Sequence, residues 1–231
     1  MRSKLVPIQA TIVDRVAVSR GFVQVQCTAP ARFDPGDVVA IRVGGSTLGP
    51  AGTWRRYTVA DSADQHFRLL IEHNPLGAAA AFLDSLEVGG NVAVRGPEAA
   101  VLPPEGTGPI VVIADLTGLA TISAVIARAR QVSPSDRVEV VVMTADVSMD
   151  RTAVAACIGT APDELVVYRH LDEVVEWINR RCQDCGGGLR LLAVGGHDLA
   201  TISRRTAIAT GAPSVALRTR TYWKQGRRGL E

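Results

Sequence analysis

The pattern of apolar residues changes on either side of residues 103–109, a segment rich in proline and glycine. Before this segment, short stretches alternate apolar and polar residues between turn residues, which predicts antiparallel strands. After it, short apolar runs alternate with stretches of helical periodicity, which predicts βαβ units and a parallel sheet. We therefore predict two domains, residues 1–102 and 110–231, joined by a linker at 103–109.

The first domain is predicted to be a small antiparallel β-barrel. Six strand-like segments with turns at regular spacing favour this architecture. The predicted strands are residues 8–18, 22–27, 38–43, 55–60, 67–72 and 91–95. One short helical stretch, residues 78–85, interrupts them.

The second domain is predicted to be an α/β domain with a parallel sheet. Its first strand, residues 110–114, is a continuous apolar run of the kind that is covered on both faces. The further predicted strands are residues 137–144, 165–168, 189–194 and 214–218. The predicted helices are residues 119–130, 151–157, 171–182 and 199–210.

The composition argues against a nucleic-acid-binding protein. Hydrophobic residues make up 47% of the 231 residues, which is enough for a substantial core, and the formal net charge is only +2. Basic residues cluster only near the C-terminus, which is too short a stretch for a nucleic-acid-binding face. We interpret this tail as a solvated end, although a phosphate-bearing ligand would also suit it.

We also expect no membrane contact and no metal site. No run of about eighteen uncharged apolar residues occurs, and no apolar segment after Arg2 and Lys4 forms a secretory signal. The prediction is therefore a cytoplasmic protein. Cys182 and Cys185 have the spacing of half a metal site, but no second pair follows, so we interpret them as part of a helix end. The oligomeric state stays open.

A flavin site is predicted from the spacing of Arg55, Tyr57 and Thr58. Residues two apart on a strand share a face, so Arg55 and Tyr57 lie together, with Thr58 beside them. A flavin dinucleotide needs a guanidinium for its pyrophosphate, an aromatic ring against its isoalloxazine and a small donor near the flavin nitrogens. These residues supply that set, although an exposed basic strand would show the same pattern.

A second group of candidate flavin contacts follows the fifth predicted strand. Gly77, Ala78, Ala79 and Ala80 begin a helix of small residues, and the unpaired N–H groups of a helix start attract phosphate. His73 precedes them and is placed to reach the same phosphates or the ribityl chain. The alternative is an alanine-rich helix that only packs on the barrel mouth.

Asp115 and Thr117 lie in the turn between the first strand and the first helix of the second half. Ligands bind at the carboxyl ends of parallel strands, where helix N–H groups attract phosphate and Thr117 adds a hydroxyl. No Gly-x-Gly-x-x-Gly fingerprint occurs. The alternative is an ordinary turn in which Asp115 or Thr117 caps the helix.

Gly195 and Gly196 follow a later strand and allow a nicotinamide or ribose to approach the backbone. We interpret the next residue, His197, as a loop residue or cap, since flavin hydride transfer needs no protein base. We therefore predict no catalytic residue. Trp223, beside Tyr222, is either an apolar anchor for the C-terminus or a wall on which an aromatic ring stacks.

In their order and spacing these motifs resemble the siderophore-interacting protein family, a branch of the ferredoxin–NADP reductase superfamily. The resemblance covers almost the whole chain. The matching segments are residues 55–59, His73 with 77–79, 88–97, 114–120, 195–196 and 222–226. It implies a flavin-binding barrel followed by an NAD(P)H-binding α/β domain.

The resemblance also implies an activity. The family passes electrons from NAD(P)H through FAD to a ferric siderophore, and iron leaves as the weakly held ferrous ion. Reduction lowers the affinity of hard oxygen donors for the iron, so the activity makes chemical sense. The implied cofactor is FAD, with NADPH or NADH as co-substrate and a small molecule such as a ferric siderophore as partner. The implied FAD residues are Arg55, Tyr57, Thr58, His73 and 77–80, and the implied nicotinamide residues are Asp115, Thr117, Gly195, Gly196 and Trp223.

The chain departs from the family pattern at several of these positions. Ala114 and Leu116 stand where the family usually has Gly and Glu around the nicotinamide turn, and Ala80 replaces a frequent serine of the flavin helix. Thr221 replaces the Gly of a closing Gly-Tyr-Trp. No Arg or Lys directly follows strand 137–144, so NADPH is not favoured over NADH.

These departures leave two alternatives to a reductase. The first is a specialised biosynthetic member of the same fold, which keeps a flavin or small-molecule site but catalyses another reaction, such as a cyclisation or isomerisation. The second is a non-catalytic protein that binds a siderophore.

Overall fold

A computed structural model describes residues 6–19, 21–44, 53–73, 79–132, 136–186 and 188–226. The chain divides into two compact units, Met1–Val101 and Leu102–Glu231. The division falls at the start of the proline- and glycine-rich segment where the sequence pattern changes.

The first unit is a closed barrel of six antiparallel strands, which confirms the predicted fold class. Its strands are β1 (Ile8–Ser19), β2 (Phe22–Thr28), β3 (Val38–Gly44), β4 (Thr53–Ala63), β5 (His66–Glu72) and β6 (Asn91–Glu98). Their order around the barrel is β1-β2-β5-β4-β3-β6, and β6 pairs with β1 to close it. A short helix, α1 (Ala80–Asp84), lies between β5 and β6 in the chain.

Alternating apolar residues of the strands fill the barrel, as a period of two requires. Phe33 and Phe67 pack edge to face in this core, with ring centroids 4.9 Å apart. Helix α1 adds Leu83, which is fully buried against the same cluster. Phe82 of the same helix is partly buried against this cluster, so two apolar side chains hold the small helix on the barrel core.

The pairing of β3 with β4 places Arg55 and Tyr57 on one face. Tyr57 lies opposite Val39, and Arg55 lies opposite Ile41. Because directly opposed residues of an antiparallel pair point to the same side, both share the side of β4 that carries the core residue Val59. This confirms that the two residues lie on the same side of the strand.

The second unit is a five-stranded parallel sheet with helices, again as predicted. Its strands are β7 (Ile110–Asp115), β8 (Val138–Met143), β9 (Leu165–Tyr168), β10 (Arg190–Gly196) and β11 (Leu217–Trp223), in the order β11-β10-β7-β8-β9. Its helices are α2 (Leu119–Val132), α3 (Arg151–Ile158), α4 (Leu171–Asp184) and α5 (His197–Ala209). Single 3-10 turns occupy Leu116–Gly118 and Ser214–Ala216.

The strand order places a topological switch point between β7 and β10. From β7 the chain continues to β8 on one side, and from β10 to β11 on the other. Ligands of open α/β sheets bind beside the carboxyl ends of the strands at such a point. Asp115 and Gly196 are the last residues of these two strands, so the predicted nicotinamide residues reach the expected edge.

Two arginines anchor the segment after Val101 to the α/β unit. The guanidinium of Arg190 donates from Nε and Nη2 to the carbonyl oxygen of Gly108, at 3.1 and 2.9 Å, and Arg218 donates to the carbonyl of Leu102 at 2.9 Å. The residues predicted as a linker are thus held against the second unit.

Most element boundaries shift by one to three residues from the prediction, and three elements show the differences that matter for the site. Helix α1 begins at Ala80 instead of residue 78, and α5 begins at His197 instead of 199 because Gly196 is its N-cap. The last strand begins at Leu217 and continues to Trp223, instead of ending at 218. Its β-branched threonines and final aromatics suit a strand, and they pair with β10.

Candidate functional site

A buried carboxylate, that of Asp115, joins the carboxyl ends of three strands. Asp115 ends β7 and is 8% exposed. Its Oδ2 accepts hydrogen bonds from the backbone N–H of Gly196 at 2.7 Å and from the indole Nε1–H of Trp223 at 2.9 Å. Its Oδ1 accepts from the backbone N–H of Thr117 at 2.9 Å and from the Thr117 hydroxyl.

These contacts use both oxygens of the carboxylate. Every donor is a neutral group, and no cation pairs with this carboxylate among the described residues. Asp115 caps the turn that leads into α2, and it also contacts Gly196, the N-cap of α5. Two helix N-termini therefore favour the negative charge at this position.

Gly195 and Gly196 allow Asp115 and Trp223 to approach the backbone. A Cβ atom on Gly195 would lie 2.5 Å from the Asp115 carboxyl carbon, and Gly195 has a positive φ of 121°. A Cβ atom on Gly196 would lie 2.7 Å from the Trp223 ring. Both glycines are thus required by packing within the chain, in addition to any role in approaching a ligand.

Trp223 covers Gly196 and is itself held in place. Its indole N–H is bonded to Asp115, while 47% of the residue remains exposed to solvent. The preceding residue, Tyr222, shares a hydrogen bond of 2.6 Å with the hydroxyl of Thr121 on α2. The end of β11 is therefore fixed at two points, and the indole offers an exposed aromatic face at the ligand-binding edge of the sheet.

His197 lies in the first turn of α5, not in a loop. It is half-buried, and the acidic Asp198 beside it is exposed. The prediction of a loop residue or cap is therefore wrong, because Gly196 is the N-cap and His197 is the first residue of the helix.

In the barrel, Arg55 keeps most of its hydrogen-bonding capacity. Its Nη1 donates to the carbonyl of Trp54 at 3.0 Å, and no carboxylate pairs with it among the described residues. Its neighbour Arg56 points to the other face and forms a salt bridge with Glu98 at 2.9 Å. The two adjacent arginines therefore differ: Arg56 is neutralised within the chain, and Arg55 is available for an anion.

Tyr57 has a half-buried phenol that forms no hydrogen bond to any described residue. Burial raises its pKa from 10 to about 12, an effect that the nearby Arg55 guanidinium partly offsets. A phenol in contact with the barrel core and without a partner has an aromatic face and a donor available for a ligand. Thr58, the third residue of the predicted motif, is 7% exposed and lies opposite Val38.

The remaining predicted flavin contacts lie next to α1. The Nε2 of His73 lies 2.8 Å from a carboxylate oxygen of Asp84, at the end of that helix. Ala79 is the N-cap residue and Ala80 the first residue of α1, and no side chain caps this end. Gly77 and Ala78 lie outside the described residues. The His73–Asp84 pair attaches the helix to the end of β5, a structural role that the sequence does not reveal.

The two halves of the predicted site therefore differ in how well they suit their cofactors. In the barrel, Arg55 and Tyr57 share a face and have unused donors, so they fit a flavin with a pyrophosphate. In the α/β unit, the side chain of Asp115 and the N–H of Gly196 are already bonded within the chain. What remains at that edge for a nicotinamide is chiefly the exposed face of Trp223.

Sequence reasoning missed one interaction beside the flavin motif. The guanidinium of Arg95 on β6 lies over the ring of Trp54 on β4. Its Cζ atom is 3.9 Å from the centre of the ring, which makes this a cation–π contact. No local pattern connects residues this far apart in the chain. Elsewhere in the described part of the chain, no group of three or more His, Cys, Asp or Glu residues forms a metal site, and no helix is both long and apolar enough to cross a membrane.

Solved structures share this fold over nearly the whole chain. A siderophore-interacting protein from Acinetobacter baumannii has a TM-score of 0.74 at 15% identity, with 96% of this chain and 92% of that chain covered. The siderophore-interacting protein SipS from Aeromonas hydrophila has a TM-score of 0.74 at 16% identity, with 97% and 94% covered. The Amycolatopsis cytochrome P450 reductase GcoB has a TM-score of 0.74 at 22% identity, with 93% and 69% covered.

The fold is thus the one shared by siderophore-interacting proteins and ferredoxin reductase-like proteins, as the sequence motifs predict. The sequence matches no protein-family model and none of the curated proteins.

Replacing Asp115 with asparagine should destabilise the α/β unit. Asp115→Asn keeps one oxygen and replaces the other with an NH₂ group. In one orientation this NH₂ faces the N–H groups of Gly196 and Trp223, and in the other it faces the donors of Thr117. We expect a loss of about 2–4 kcal/mol in unfolding free energy, measured by urea denaturation. Asp150→Asn is the control: that helix cap accepts with Oδ1 alone, so it should cost less than about 1 kcal/mol. Equal effects of the two substitutions would contradict the role assigned to Asp115.

Tyr57→Phe should make the protein less sensitive to alkaline pH. Because the pKa of Tyr57 rises from 10 to about 12 on folding, the phenol stabilises the fold below pH 10, and this contribution is lost as the pH rises through 12. The unfolding free energy of the parent protein should therefore fall more steeply than that of the variant, by up to about 1.4 kcal/mol per pH unit. The pKa of the buried Cys27 thiol is also raised to about 12. This thiol contributes equally to the pH dependence of the parent protein and of the variant. Parallel curves would show that the phenol is not buried.

Proposed function

We propose that the chain is an FAD-dependent oxidoreductase that takes electrons from NADPH or NADH and passes them to a small-molecule acceptor. The observation that carries the proposal is the Arg55–Tyr57 pair. These residues share one side of a barrel strand, have unused hydrogen-bonding capacity, and belong to a fold shared with a ferredoxin reductase.

In this proposal the chain's own residues bind and orient the cofactor. Arg55 would hold the pyrophosphate with charge-assisted hydrogen bonds, and the Tyr57 ring would pack against the flavin ring system. When bound, FAD supplies the redox chemistry, accepting two electrons at once and releasing them singly or in pairs. Because the Tyr57 pKa is raised to about 12, its phenol keeps its proton throughout the neutral range and acts as a hydrogen-bond donor.

The acceptor we propose is a ferric chelate such as a ferric siderophore. The overall reaction balances when one NAD(P)H gives two electrons and a proton, and two ferric ions each take one electron. Oxygen chelators hold the ferrous ion less tightly than the ferric ion, so the reduction releases iron without any protein metal site. We propose a cytoplasmic location, where NAD(P)H is formed, with neither a membrane nor a nucleic acid as partner.

The Asp115 contacts favour a second candidate function. The carboxylate and the Gly196 N–H are used within the chain, and Trp223 covers the glycine. Leu116 also stands where related sequences place an acid. A specialised biosynthetic enzyme that keeps a flavin or small-molecule site, but has lost reduction by NAD(P)H, would show these features.

Arg55→Ala should weaken FAD binding, while Arg56→Ala should not. Loss of a charge-assisted contact to a phosphate costs about 1.5–3 kcal/mol, so Kd should rise by about 10- to 150-fold. Arg56 is the matched control because it is the adjacent arginine, points to the other face and is paired with Glu98. Fluorescence titration of the purified protein with FAD measures both values. Equal affinities of the two variants would remove Arg55 from the flavin site.

Anaerobic titration of the FAD-loaded protein with NADPH and with NADH separates the two candidate functions. A reductase should bleach the flavin absorbance with about one equivalent of one nucleotide, and the better nucleotide identifies the co-substrate. Bound flavin that stays oxidised under excess NADPH and NADH, yet bleaches with dithionite, would reject the reductase and support the biosynthetic alternative. A protein that binds no FAD would reject the reductase and any flavin-dependent biosynthetic enzyme, and would leave a biosynthetic enzyme with a different small-molecule site or a non-catalytic siderophore-binding protein.

A further inference from the structure

A cavity lies at the amino edge of the parallel sheet, opposite the carboxyl edge that carries Asp115. It has a volume of about 320 Å³ and is bounded by the amino ends of β7, β10 and β11, the C-terminal half of α2 and the segment that begins at Leu102. A volume of this size falls within the range of small-molecule sites. Six residues of β7 separate this edge from the Asp115 edge, a distance of about 17 Å by strand rise.

One wall of this amino-edge cavity is apolar. Leu102, Pro103 and Ala129 are half-buried in this wall, and Val132 lies at its rim with 72% of the residue exposed. Ile110 and Val125 are almost fully buried behind it. An apolar surface of this kind gains free energy when a hydrocarbon or aromatic group displaces water from it.

The charged lining carries an excess of positive charge. Arg190 is buried and ion-paired, because its Nη2 donates to Asp136 at 2.7 Å, and Nε and Nη2 also donate to the carbonyl of Gly108. Arg218 contacts a neutral carbonyl, that of Leu102. Arg128 is half-buried and forms no hydrogen bond or ion pair within the described residues.

The acidic lining does not cancel this charge. Asp136 is paired with Arg190, which leaves Glu105 as the other carboxylate of the lining, exposed and without an ion pair to either arginine among the described residues. The unpaired charges of the lining are therefore two guanidinium groups, those of Arg128 and Arg218, and one solvated carboxylate. A half-buried arginine without an acceptor next to an apolar wall is matched best by an anionic group attached to an apolar body.

We propose that this cavity binds a small amphipathic organic anion, a carboxylate or sulfonate carried on a hydrocarbon or aromatic body. The anionic group is held by Arg128 and Arg218, and the body lies against the half-buried Leu102 and Pro103 and the exposed Val132. A fully polar anion would leave the apolar wall in contact with water, and an amphipathic cation would meet the two arginines. The site is independent of the flavin and nicotinamide residues and does not rest on the proposed function.

The test uses 1-anilinonaphthalene-8-sulfonate, a fluorescent probe with one negative charge on an aromatic body. Titration of the full chain should give a saturable fluorescence increase, and Arg128→Gln and Arg218→Gln should each raise Kd by about tenfold, the effect of one lost charge-assisted contact of about 1.4 kcal/mol. Arg205→Gln on the exposed surface of α5 removes the same charge elsewhere and should leave Kd unchanged. The neutral N-phenyl-1-naphthylamine should bind at least tenfold more weakly.

A second measurement places the probe on the structure. Backbone amide shifts in a nitrogen-15 spectrum should move in α2 near Ala129 and in the segment 102–108, and far less near Gly196. The proposal is overturned if no saturable binding occurs, if Arg128→Gln and Arg205→Gln have the same affinity as the parent, or if the neutral probe binds as tightly. Shifts confined to the Asp115 edge would also overturn the proposal, since they would place the probe at the predicted nicotinamide residues.

Discussion

The ionised carboxylate of Asp115 is the interaction on which the carboxyl edge of the α/β unit depends. It is nearly buried, and it accepts hydrogen bonds from residues that follow β7, end β10 and end β11. Burying a charge is costly unless hydrogen bonds replace its hydration, and here neutral donors and two helix N-termini replace it. The glycines at 195 and 196 follow from this arrangement, since any side chain there would collide with Asp115 or Trp223.

The predicted flavin residues and the predicted nicotinamide residues differ in how many of their hydrogen-bonding groups are already bonded within the chain. Arg55 and Tyr57 retain donors that the barrel does not use, and so they are available to a cofactor. The groups at the Asp115 edge bind one another, so a ligand there meets an indole face and a buried charge in place of free donors. The barrel residues therefore offer more unused donors to a flavin than the Asp115 edge offers to a nicotinamide.

The architecture was predictable from the sequence because its signals are local. Alternation with a period of two identified all six barrel strands, and the change of pattern at 103–109 separated the two units. The contact of Asp115 with Thr117 is the capping turn that the sequence offered as an alternative. Its contacts with Gly196 and Trp223 were not predictable, since these partners lie 81 and 108 residues further along the chain. The same limit applies to Trp223. Its place at the end of β11 depends on pairing with β10, and the amino-edge cavity depends on Arg128 and Arg218, which are distant in sequence.

The charge at Asp115 also bears on the direction of the proposed reaction. Its hydrogen bonds are all to neutral groups, so a negative charge that is only partly compensated lies beside the Trp223 indole. A reduced nicotinamide ring is neutral, and it becomes positively charged when it gives up hydride. A fixed negative charge in a partly buried setting stabilises the cationic product more than the neutral reactant. In a reductase of this kind, a carboxylate that contacts no ligand would thus favour hydride donation through its field alone, while still holding three strand ends together.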